Sequence, residues 1–133
     1  MERPPESASA ASVYIVDDDA MVRRALSRFL RSAGYAVETF GSAEAFLARD
    51  PVPERGFALL DVRMPEKSGP ELQTELAARG SPLELIFMSA LDDAPTRQRV
   101  LAAGARAWFA KPIDGDALLA ALAPPRRARH PAG

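Results

Sequence analysis

Cysteine is absent from this chain and histidine occurs once, at His130. The first absence excludes disulfides, thiolate zinc sites and cysteine catalysis. The second excludes a histidine-based triad and any multi-histidine metal site. Lysine is nearly as scarce: Lys67 and Lys111 stand alone, and the other basic residues are arginine. No apolar run approaches the ~20 residues of a membrane span. The N-terminus lacks the apolar core of a secretion signal, so a cytoplasmic location is expected. The net charge of -1 offers no overall attraction to nucleic acid or to a membrane surface. The P-loop pattern and the Gly-x-Gly-x-x-Gly pattern are both missing, so no nucleotide cradle is visible.

What is present is an ordinary soluble composition, 47% hydrophobic and 26% charged, in a chain of 133 residues. That length fits one domain with a substantial core. The organising stretch is FALLDVRMP, Phe57 to Pro65. An apolar run ending in Asp61, then closed by Pro65 and Gly69, reads as a strand buried on both faces. Asp61 then stands at the strand's carboxyl end, the edge where open α/β sheets bind ligands. A carboxylate there is costly unless something pairs with it.

The rest of the chain alternates strand and helix. Residues 1–11 are small, polar and proline-bearing and read as a flexible N-terminal arm. A first strand, Val13 to Val16, runs into Asp17, Asp18 and Asp19. A helix from Ala20 to Ala33 carries Val22, Leu26, Phe29 and Leu30 at helical spacing, with Asp19 as N-cap and Gly34 as terminator. A short strand follows, Ala36 to Phe40, then a helix from Ala43 to Arg49 capped by Ser42. After the central strand, Phe57 to Val62, come a helix from Pro70 to Arg79 and a strand from Leu83 to Ser89. The last units are a helix from Pro95 to Ala103, a strand from Ala107 to Ala110, and a helix that Asp114 can cap, running to Leu122. Residues 124–133 read as a flexible tail rich in proline and arginine. Five strand–helix units predict a parallel sheet covered by five helices on both faces.

Parallel strands share one carboxyl edge. There the sequence sets Asp17, Asp18 and Asp19 after the first strand, Asp61 at the end of the third, Ser89 at the end of the fourth and Lys111 just past the fifth. If the first and third strands are neighbours, the carboxylates crowd and need a counter-ion. A hard divalent cation with oxygen ligands answers that need, and Mg²⁺ suits a site that keeps several waters and admits phosphate oxygens. The set suits phosphoryl transfer, with Asp61 as nucleophile, Lys111 and Mg²⁺ neutralising charge, and the Ser89 hydroxyl donating to a phosphoryl oxygen. Singly, each residue also has a plain structural role: a solvated helix cap, a turn aspartate, a strand-end serine, a surface lysine. Their joint placement carries the argument.

Those residues carry a resemblance. The segments IVDDD, LLDVRMPEKSG, MSA and AGARAWFAKP, in this order and spacing, resemble the receiver domain of two-component response regulators over residues 12–123. The segments AEAFL and D-x-R-M-P are similar to receivers of the nitrogen-fixation-regulator type. The resemblance implies a flavodoxin-like receiver fold, a five-stranded parallel sheet in the order 2-1-3-4-5. It implies that Asp61 is the phosphorylated aspartate, Asp18 a direct metal ligand and Asp17 a ligand acting mainly through water, with the backbone carbonyl of Arg63 completing the Mg²⁺ set. Ser89 and Trp108 match the switch pair, and Lys111 the phosphate-contacting lysine, followed by a cis peptide to Pro112. Trp108 stands where the family usually has Phe or Tyr.

The function implied is a phospho-accepting switch that assists its own phosphorylation and dephosphorylation without being a turnover enzyme. Its donor would be a sensor histidine kinase or phosphotransfer protein. Its output would be a second copy or a downstream protein on the face of the fourth helix, fifth strand and fifth helix. The eleven residues after Leu122 are too few for a helix-turn-helix, so nucleic acid binding is not expected from this chain alone, and no membrane partner is expected. The alternative is a receiver-fold interaction module that works without phosphorylation. A dehalogenase-type phosphohydrolase would need a second Asp two residues beyond the nucleophile, where Arg63 stands.

Overall fold

The computed structural model describes residues 12–53 and 55–123. The readings of residues 1–11 as an arm and 124–133 as a tail lie outside them. Ten elements alternate along the chain: β1 Ser12–Val16, α1 Ala20–Ser32, β2 Ala36–Phe40, α2 Ala43–Ala48, β3 Phe57–Asp61, α3 Gly69–Ala78, β4 Glu84–Ser89, α4 Ala94–Ala102, β5 Ala107–Ala110 and α5 Gly115–Leu122. The strands form one parallel sheet in the spatial order β2-β1-β3-β4-β5. This is the order 2-1-3-4-5 expected of a flavodoxin-like receiver fold.

The period of two along each strand sorts the core into two layers. Val16, Ala58, Leu60, Leu85 and Phe87 pack against α2, α3 and α4 through Phe46, Leu72, Leu76 and Val100. Val13, Ile15, Leu59, Ile86 and Met88 face the other way, against Leu30 of α1 and Leu118 and Leu122 of α5. The three inner strands bury both faces, which is why they read as continuous apolar runs rather than alternating ones.

Helix ends follow local chemistry. Asp19, Ser42 and Asp114 cap α1, α2 and α5 as expected. Two caps were less legible. Ser68 and Glu71 close a capping box on α3, so that helix begins at Gly69, one residue before Pro70. Asp93 caps α4, accepting from the Thr96 backbone N–H at 3.1 Å and from its hydroxyl at 2.6 Å. The sheet ladder outlasts the third strand: Val62 N–H donates to the Met88 carbonyl at 2.9 Å, although the strand itself ends at Asp61.

Register aligns the strand ends. Val16 pairs with Leu60, so Asp17 comes level with Asp61. Asp61 pairs with Met88 and Ser89 with Ala110, which brings Lys111 to the same rim. Gly69 admits the start of α3 to that rim, because a Cβ at this position would lie 2.5 Å from the Asp61 carbonyl oxygen.

Candidate functional site

Three carboxylates meet at the carboxyl edge. Asp17, Asp18 and Asp61 each offer an oxygen, and these oxygens lie within 4.8 Å of one another. Asp17 is fully buried and Asp61 is 6% exposed, whereas Asp18 faces solvent. The Lys111 ammonium spans the buried pair, 2.7 Å from Asp17 Oδ2 and 3.3 Å from Asp61 Oδ1. Burial acts to lower the Lys111 pKa. The hydrogen bond to Asp17 and the charge of Asp61 outweigh it, and the ammonium is held above its ordinary range.

Asp61 is in the opposite situation. Burial, and then the negative charge of Asp17, push its pKa up from 3.8 to about 6, against the pull of Lys111 and of a hydrogen bond from the Arg63 backbone N–H. Among the described residues Lys111 is the one cation paired with these three carboxylates, too little positive charge for a crowded set. A compact all-oxygen donor set short of positive charge fits a hard divalent cation such as Mg²⁺.

The remaining sequence-derived residues stand at the same edge in different attitudes. Ser89 is buried, but its hydroxyl is turned to the loop after β4, donating to the Leu91 carbonyl at 2.8 Å and accepting from the Leu91 N–H at 3.1 Å. Its own carbonyl accepts from the Lys111 N–H at 2.9 Å, which ties the ends of β4 and β5 together. The Lys111–Pro112 peptide is cis. Trp108 is half-buried and stacks on Phe87, with ring centroids 6.4 Å apart and planes at 27°. Its neighbours are those of the α2–α3–α4 layer.

Arg63 is exposed and lines a groove of about 800 Å³ between α3 and α4, with Asp93, Thr96 and Arg99 on the opposite wall. Hydrogen bonds from Thr96 hold the Asp93 carboxyl below its usual range, and the Arg63 charge adds to that.

One participant escaped the sequence reading. Arg23 Nη1 donates to the Asp17 carbonyl at 2.7 Å. Along α1, Arg23 looks like any other arginine of a solvated face. Only its spacing of six residues from Asp17 hinted at reach.

Comparison with known proteins agrees with this fold. The family model for the response regulator receiver domain matches residues 13–123. The response regulator protein TodT of Pseudomonas putida is 41% identical over 128 residues, covering 92% of this chain and 56% of TodT. The transcriptional regulatory protein FixJ of Azorhizobium caulinodans is 41% identical over 110 residues, covering 83% of this chain and 52% of FixJ. Among solved structures, the response regulator StyR has 43% identity and a TM-score of 0.77, covering 85% of this chain and 57% of that one. The FixJ-N crystal structure has 35% identity and a TM-score of 0.77, with 84% of this chain and 89% of that one covered. The chain belongs to the response regulator receiver domain family of two-component systems, and its likeness to FixJ agrees with the nitrogen-fixation-regulator resemblance. It spans about half the length of the curated relatives it matches.

Proposed function

We propose that Asp61 accepts a phosphoryl group from the phosphohistidine of a sensor histidine kinase or phosphotransfer protein, and that the acyl phosphate switches a protein-binding surface. The observation that carries this reading is the placement of Asp61: buried at the sheet edge, level with Asp17 and within 3.3 Å of the Lys111 ammonium. A carboxylate oxygen of Asp61 attacks phosphorus in line. The new O–P bond forms as the P–N bond breaks, and the histidine nitrogen leaves with the electron pair. Lys111 neutralises charge on the equatorial oxygens and holds Asp61 in place. Asp18 directly, Asp17 mainly through water, Asp61 and the Arg63 carbonyl would hold Mg²⁺, which when bound supplies further neutralisation of carboxylate and phosphoryl charge. The chain's own part is positioning and electrostatics, without a turnover cycle on a separate substrate.

The switch follows from Ser89. The acyl phosphate competes for a hydroxyl now satisfied by Leu91. Drawing that hydroxyl toward Asp61 releases the β4–α4 loop and vacates space that Trp108 enters. The two-state element is the face of α4, β5 and α5, where Leu101 is 40% exposed, and its partner is a second copy or a downstream protein.

Intact-mass measurement after incubation with phosphoramidate or acetyl phosphate and Mg²⁺ tests the reading, with Asp61→Asn as control. One phosphoryl group on the native chain alone is expected. No incorporation from small donors or from a panel of histidine kinases, together with no Mg²⁺ binding, would leave the phosphorylation-independent interaction module as the better account.

A further inference from the structure

Every polar atom of Asp17 is engaged. Its N–H donates to the Phe40 carbonyl at 3.1 Å, Oδ1 accepts from the Asp19 N–H at 2.8 Å, and Oδ2 accepts from Lys111 at 2.7 Å. The fourth atom, its carbonyl oxygen, accepts from Arg23 Nη1 at 2.7 Å. That oxygen belongs to the peptide joining Asp17 to Asp18. The peptide is planar, so fixing its oxygen fixes the direction in which the chain enters Asp18. Asp18 is the exposed member of the three carboxylates and lacks the burial that helps to hold Asp17.

The guanidinium has its own seat. It lies over Gly41, in the turn between β2 and α2, where a Cβ would stand 3.3 Å from Arg23 Nη1 and 3.7 Å from its Cζ. Gly41 leaves the room that lets a side chain of α1 cross the end of the sheet. Arg23 is half-buried there. A charge-assisted bond from a planar guanidinium in a fitted seat orients its acceptor more firmly than a mobile ammonium does.

We infer that Arg23 is a positioning residue of the cation site, aiming the Asp18 carboxylate at Asp17 and Asp61 by holding the peptide between Asp17 and Asp18. The inference rests on the reading of these three aspartates as a Mg²⁺ site. Charge and positioning have opposite signs here, which makes the role measurable. A guanidinium close to a cation site repels the cation, so if charge were its whole effect, removing it would tighten Mg²⁺ binding. If it aims Asp18, removing it loosens binding. Loss of a group that orients a metal's ligands typically costs about 10–100-fold in affinity.

The test is Mg²⁺ titration by isothermal calorimetry on the full chain and on Arg23→Met, Arg23→Lys and Gly41→Ala, with melting in EDTA to confirm folding. Arg23→Met is expected to weaken Mg²⁺ about tenfold, and Arg23→Lys less, since it keeps a charged donor. Gly41→Ala displaces the guanidinium by a few tenths of an ångström and is expected to weaken binding about threefold, with no added loss in the double variant Arg23→Met/Gly41→Ala. Unchanged or tighter binding in folded Arg23→Met overturns the inference. Should that variant fail to fold, unchanged affinity in Gly41→Ala does the same. Absence of Mg²⁺ binding by the unaltered chain overturns the site reading itself, so the two failures are distinct.

Discussion

Removing the negative charge of Asp61 is expected to stabilise the protein in the absence of Mg²⁺, and only at neutral to alkaline pH. The pKa of this carboxyl is raised from 3.8 to about 6, by burial first and then by Asp17. Between those values the folded state holds more protons than the unfolded one, so stability falls as pH rises from about 4 to about 6. The deficit is complete above that window and absent below it. A shift of about two units corresponds to about 3 kcal/mol. Asp61→Asn keeps the shape and discards the charge, but Lys111 loses one of its two carboxylate partners and keeps Asp17 at 2.7 Å. The net gain is therefore set at about 1–3 kcal/mol near pH 8. At about 4 °C per kcal/mol for a domain of this size, the melting temperature should rise by about 4–12 °C. The assay is thermal and urea unfolding of both proteins in EDTA, near pH 8 and near pH 4. Near pH 4 the two curves should come together. Addition of Mg²⁺ near pH 8 should narrow the gap by stabilising the native chain. An equal gain at both pH values, or an Asp61→Asn variant less stable than the native chain near pH 8, would refute the reasoning.

Other outcomes follow from the same contacts. Lys111→Met leaves Asp17 and Asp61 facing each other without their shared cation, and should cost about 3 kcal/mol in urea unfolding near neutral pH and abolish phosphoryl incorporation. Much of that stability should return in the double variant Lys111→Met/Asp17→Asn. Ser89→Ala removes two hydrogen bonds to Leu91 for about 1 kcal/mol, while still allowing incorporation on Asp61. Because Trp108 is the sole tryptophan, the fluorescence change on phosphorylation should be lost in that variant. Ser68→Ala breaks the α3 capping box and should cost about 1 kcal/mol without altering Mg²⁺ affinity.

Much of this molecule is written in short-range chemistry. Apolar runs and their end residues mark the strands, and Asp19, Ser42 and Asp114 mark helix starts, because a cap needs only the next two or three backbone N–H groups. The S-x-x-E box at Ser68 and Glu71 is equally local, and it starts α3 at Gly69, one residue before the Pro70 that suits a first helical position. Asp61, Ser89 and Lys111 could be placed at strand ends from their neighbours alone. The order of the strands could not. Periodicity says that a strand is buried, not which strand lies beside it, and the order 2-1-3-4-5 came from the family resemblance.

Tertiary structure decided the rest. Lys111 meets Asp17 across 94 residues of chain, and that contact exists only because β1, β3, β4 and β5 lie side by side in the observed register. The raised pKa of Asp61 depends on burial and on Asp17, neither of which is a property of FALLD by itself. Ser89 was legible as a strand-end hydroxyl, but its turn toward Leu91 is a choice between partners that only the folded loop presents. Arg23 is the clearest case. Its sequence context is that of a surface arginine, and it reaches Asp17 because Gly41, on a different turn, leaves the path open. The sequence thus determined which groups stand at strand and helix ends, since capping and burial patterns act over a few residues. Packing alone determined which of those groups touch and how they are charged, since register, desolvation and side-chain direction depend on parts of the chain that are far apart in sequence.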